Sequence, residues 1–63
     1  MRLTDFWERL ESVLGATYAR SWSADVVVPD LGCTVDEALE RGVPTIEVWR
    51  AVCALIEVPA SLR

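Results

Sequence analysis

Few side chains in this chain are able to do chemistry. Histidine is absent, which removes the usual general base, the commonest metal ligand and the one side chain that ordinarily titrates near neutrality. What remains is two cysteines, ten carboxylates and scattered hydroxyls. Cys33 and Cys53 lie twenty positions apart. That is neither a CxxC pair nor a zinc-ligand spacing, so both read as reduced thiols of a cytoplasmic protein. Cys33 stands just before a helix start, where a thiol pKa is lowered, which makes it the candidate for redox sensitivity. No second cysteine is near it in sequence to resolve an oxidised form. The carboxylate pairs Asp36-Glu37 and Glu8 with Glu11 fall in first-turn or outward-facing positions, where solvated charge suffices. Ser12, Ser21, Ser23 and Ser61 have no imidazole to activate them. Gly15, Gly32 and Gly42 stand singly, so no glycine-rich phosphate loop exists. The expectation is no catalytic residue, no cofactor and no metal, hence not an enzyme.

Two stretches read as recognition elements instead. In Glu37 to Val48, Ala38 lies four residues before the turn glycine Gly42 and Val48 six after it. This spacing lets two helices cross closely in a helix-turn-helix over residues 35–56. The second helix of that unit would offer Thr45, Glu47 and Arg50 to a nucleic acid, one of them basic. The same residues suit a packing motif. The other stretch is Trp49-Arg50, since Trp and Arg are the residue types that most often anchor protein interfaces, although a Trp inside a wide apolar arc is more often core. Arg50 shares an outer strip with Glu47, Ala51 and Ala54. With Arg2 and the C-terminal Leu62-Arg63, that strip is the expected partner surface.

Positioning these residues falls to a series of short helices. Thr4 is a fair N-cap with Asp5 in the first turn, and Phe6, Trp7, Leu10, Val13 and Leu14 fall within about 120° of one another at 100° per residue, so a helix is expected over 5–14, closed by Gly15. Tyr18, Trp22 and Val26 recur at i+4 steps with Ala19 alongside, which predicts a second helix over 16–27. The run Val26-Val27-Val28 also suits a strand, but with no second strand evident to pair with, the helix is preferred. Pro29 ends it in the loop Pro29 to Cys33. Thr34-Val35-Asp36-Glu37 is a capping box that starts a short helix with Val35, Ala38 and Leu39 inward, ended by Gly42. Pro44 suits the first position of the last and longest helix, expected to run to Glu57 with Ile46, Val48, Trp49, Val52, Cys53, Leu55 and Ile56 on a broad apolar arc. Beyond Val58-Pro59, Leu62 either folds back in a turn or frays with the terminus.

Sixty-three residues make one domain, 1–63, of a size that buries only about 60% of the surface of its unfolded chain. A rich core compensates: 52% of the residues are apolar, and three tryptophans are among them. Dimerisation is a further source of stability open to so small a chain. Six arginines, no lysine and ten carboxylates leave a net charge of −4, which argues against nucleic acid or an anionic membrane as a whole-surface partner. The N-terminus lacks a signal-peptide pattern and no apolar run approaches a membrane span, so a cytoplasmic protein is expected.

The residues Met1-Arg2-Leu3-Thr4-Asp5-Phe6, Gly42-Val43, Val48-Trp49-Arg50-Ala51-Val52-Cys53 and Val58-Pro59 resemble the short actinobacterial proteins grouped as domain of unknown function 3046. The resemblance spans essentially the whole length and is loosest over residues 15–32. It supplies no set of functional residues. That family is associated with gene neighbourhoods of the recombinase RecA and its regulator RecX, which implies a role near DNA repair through a protein partner. The expectation is thus a single all-α domain of about four short helices with the C-terminal one central, acting as a non-enzymatic interaction module; helix-turn-helix binding of nucleic acid is the alternative.

Overall fold

A computed structural model describes all residues, 1–63. Helix α1 spans Leu3–Leu14, α2 Ala16–Asp25, α3 Val35–Glu40 and α4 Thr45–Leu55, followed by a single 3₁₀ turn over Ala60–Leu62. Between α2 and α3 lies a two-residue hairpin, β1 (Val27–Val28) paired antiparallel with β2 (Cys33–Thr34). The chain is mostly helical and packs into one body of 27 × 21 × 20 Å.

Helix α1 begins two residues before its expected start. Arg2 occupies the N-cap position with extended backbone and no side-chain cap, and Thr4 lies inside the helix. A tertiary tie replaces the local cap: the Thr45 hydroxyl, at the start of α4, donates to the Met1 carbonyl. Phe6 and Leu10 are fully buried, with Trp7, Val13 and Leu14 packed at the margin. Gly15 separates α1 from α2 by a single residue, and its φ of 87° is the left-handed geometry that lets the chain reverse without a Cβ clash.

Two expectations for α2 are corrected. Its inward face is Ala19, Trp22 and Ser23, while Tyr18 is 57% exposed. Ser23 is buried at no polar cost because its hydroxyl donates to the carbonyls of Ala19 (2.8 Å) and Arg20 (3.1 Å). Small side chains at Ala19, Ser23 and Ala38, all fully buried, leave room for α2 to lie against α3.

The helix also stops at Asp25 rather than continuing through Val27, and the strand reading set aside from the sequence is the one realised. The missing partner strand is Cys33–Thr34, the two residues directly ahead of α3. Pro29 to Gly32 turn the chain back, with the amides of Leu31 and Gly32 both bonded to the Val28 carbonyl at 3.0 and 2.9 Å and Gly32 at φ 68°. The hairpin survives at two residues per strand because its inner side is core: Val28 is fully buried and Cys33 is 5% exposed. Thr34 therefore serves the ladder and the capping box together, its side chain accepting from the Glu37 amide (3.2 Å) while its amide donates to Glu37 Oε1 (3.0 Å).

Pro44 sits at the N-cap of α4, one position earlier than expected, and the helix ends at Leu55, two residues short of Glu57, where Ile56 turns extended. Its buried residues are Val48, Trp49, Ala51 and Val52. Trp49 packs edge-on against Phe6 at 5.8 Å between ring centroids, and α4 also contacts α3 and β1. The inward side thus gains Ala51 while Ile46, at the other edge of the expected arc, is 37% exposed; Leu55, in the last turn, is 40% exposed. The hairpin turn accounts for Ala51: Pro29, Asp30 and Leu31 stand beside it, while Glu47, Arg50 and Ala54 stay exposed. Past Val58, itself buried, the 3₁₀ turn folds Leu62 back onto the core.

Candidate functional site

Along α4, Ile46, Trp49, Arg50, Cys53 and Ala54 follow the i, i+3, i+4, i+7, i+8 spacing that places them in one stripe. The 3₁₀ turn brings Arg63 beside that stripe, and together the six residues line an open groove of about 660 Å³. A groove of that size lies within the roughly 300–1,000 Å³ of ordinary ligand clefts. Trp49 is 2% exposed and forms the floor, Ile46 and Ala54 are exposed on its walls, and Cys53 is half-buried.

The charged side chains that line the groove, Arg50 and Arg63, are both basic in a chain of net charge −4, with Glu47 and Asp30 beside the first and Glu57 beside the second. Burial pushes the Cys53 thiol above its ordinary pKa, and the guanidinium groups of Arg63 and Arg9 are near enough to pull it partly back. Three of the six arginines, Arg9, Arg50 and Arg63, therefore gather about this one stripe of α4. None of them has a carboxylate within 4.0 Å; the chain's single ion pair is Arg20 with Glu11, at 3.6 Å. With its pKa raised, Cys53 is a thiol at neutral pH and contributes polarizable surface rather than a nucleophile. The one buried side-chain polar atom without a hydrogen-bond partner is the indole nitrogen of Trp49, the residue beneath the groove.

Of the surface residues expected from sequence, the structure brings Arg50, Ala54 and Arg63 together. Glu47 shares a neighbouring depression with Asp30, Leu31 and Arg50, on the other side of that arginine. Ala51 is a correction: at 6% exposure it packs against the hairpin turn and is not available as a contact strip. Arg2 lies outside the groove, next to the Met1–Thr45 tie at the start of α4. Cys33, considered as an exposed thiol, is buried in the hairpin. The sequence reading missed Ile46 and Cys53 because both were assigned to the core arc, and Arg9 because nothing local relates α1 to the C-terminal turn. The i+3/i+4 recurrence of Ile46, Trp49, Arg50, Cys53 and Ala54 was the available signal.

Fold and site together define a small, mostly helical domain with a short hairpin and a shallow groove flanked by arginine. Residues 1–61 match the model of the family described as Protein of unknown function (DUF3046), and the chain belongs to that family. No curated protein and no solved structure matches it.

Proposed function

We propose that this protein is a non-enzymatic interaction module whose contact surface is the groove between α4 and the C-terminal turn. The observation that carries this reading is the junction of two distant segments, Ile46–Ala54 and Arg63, into an exposed apolar trough whose arginines have no internal ion-pair partner. An arginine held on the surface without a partner is free to complete a contact with another molecule, and Arg is among the residue types that supply much of the energy at protein interfaces. The partner implied by the family resemblance is one that works near DNA repair. The helix-turn-helix alternative over residues 35–56 draws less support, since α3 exposes Asp36, Glu37 and Glu40 and α4 exposes Glu47 beside Arg50. A nucleic acid at that surface would meet four carboxylates.

The test is affinity capture from the native cell with wild type and Arg50→Glu as baits. Proteins retained by wild type should be recovered several-fold less with the variant. Equal recovery of every partner by both baits removes the groove as the contact surface. DNA affinity measured across a salt series decides the alternative, because phosphate contacts weaken as salt rises.

A further inference from the structure

We propose that the groove takes an acidic peptide segment, one that seats a large apolar side chain against Ile46, Cys53 and Ala54 and places carboxylates against Arg50 and Arg63. This rests on the interaction reading above and adds the chemistry of the partner. The first support is charge complementarity. The chain carries −4 overall, yet Arg9, Arg50 and Arg63 converge on one stripe, and with those three set aside the remaining side chains sum to −7. Arg2, Arg20 and Arg41 stand elsewhere on the surface, and Glu47, Asp30 and Glu57 border the groove, but the two charged side chains that line the trough itself are both arginines.

That placement selects among anionic partners. A nucleic acid or an anionic membrane presents charge over a wide area and would be repelled by the acidic remainder of the surface. A short peptide touches only the trough and escapes that repulsion. The second support is the lining itself. Four of the six lining residues, Ile46, Trp49, Cys53 and Ala54, are apolar, so an anion with no apolar part would leave most of the trough without contact. A peptide supplies both, with the arginines' planar forks free to pair carboxylates in bidentate fashion. Arg50 and Arg63 are exposed, so the attraction must be sensitive to ionic strength.

Selection of random dodecapeptides from a displayed library on the full-length chain tests this without presupposing a sequence. A parallel selection uses Arg50→Glu/Arg63→Glu, two exposed positions whose reversal leaves the core intact, as a matching thermal melt should confirm. Wild type should enrich peptides in which Asp or Glu flanks an aromatic or aliphatic residue. The double variant should lose those peptides and turn toward Lys and Arg. A recovered acidic peptide, resynthesised, should bind the double variant at least about tenfold more weakly, as expected for loss of charge-assisted pairs, and bind wild type more weakly as salt rises. Ile46→Asp should abolish its binding. Neutral or basic peptides that still depend on Arg50 overturn the acidic chemistry while leaving the interaction reading in place. The same acidic peptides on both proteins, or no enrichment at all, overturn the proposal; the capture experiment judges the interaction reading separately.

Discussion

The molecule contains two arginine–tryptophan arrangements, and they are built to opposite ends. At the seam of α1 and α2, the Arg20 guanidinium lies 3.9 Å from the centre of the Trp7 ring and also pairs with Glu11 at 3.6 Å. Both of its attractive surfaces, the flat face and the charged edge, are used within the chain. At α4, Arg50 and Arg63 flank Trp49 with no carboxylate within 4.0 Å, although Glu47 and Asp30 stand near Arg50 and Glu57 near Arg63. The first arrangement closes a helix pair that is joined by a single glycine. The second leaves its charge available. The same two residue types thus serve as a clasp in one place and an open surface in the other, and whether a carboxylate stands on the neighbouring helix makes the difference.

The comparison breaks most sharply at Trp49, which is core and groove floor together. Trp49→Ala should cost about 3–5 kcal/mol, comparable to the whole stability of a domain this size, and leave no cooperative transition in a thermal or urea melt. Trp49→Phe should cost much less, because the indole nitrogen it removes is buried without an acceptor. A cooperative melt of the alanine variant near the wild-type temperature would show that the floor of the groove is separable from the core.

A smaller effect sharpens the contrast between the two arginines. Arg20→Ala should lower stability by about 2 kcal/mol at most, the sum of an exposed ion pair and a surface cation–π contact. Arg50→Ala should leave the melting temperature unchanged while weakening partner recovery. Equal destabilisation by both would mean that Arg50 has an internal role like that of Arg20.

The smallest effect belongs to the capping box. Its hydrogen bonds to Thr34, the backbone one foremost, hold the Glu37 carboxyl below its ordinary pKa. A carboxylate with a depressed native pKa stabilises the fold above its unfolded-state pKa, and that contribution is lost as pH falls through the native value. The difference in melting temperature between wild type and Glu37→Gln should therefore be present at neutral pH and shrink on acidification. A difference independent of pH would place the effect in side-chain shape rather than charge.

Local signals account for what was legible beforehand. The capping box at Thr34-Val35-Asp36-Glu37 needs only the residue types at Ncap and N3, and it forms as read. Gly15 and Gly42 end helices because their positive φ suits no other residue as well. Val26-Val27-Val28 was misread because the evidence for a strand is its partner. That partner, Cys33–Thr34, is too short to announce itself and doubles as the start of α3. The groove suffered from the same omission. Without the hairpin, periodicity puts Ala51 outside and Ile46 inside, although Val48, Trp49 and Val52 face inward in both readings.

Sequence alone determined that the chain is mostly helical, where its turns fall and that Arg50 stands outside the apolar arc holding Trp49. Periodicity, caps and glycines act over a turn or two of chain, so they are readable without knowing what lies opposite. Tertiary structure alone decided which side of α4 meets solvent, because the hairpin turn at Pro29 to Leu31 had to fold against Ala51 before the stripe from Ile46 to Ala54 was left open. It also decided that Arg63 and Arg9 stand beside that stripe, since charges from opposite ends of the chain meet only when the core between them has packed.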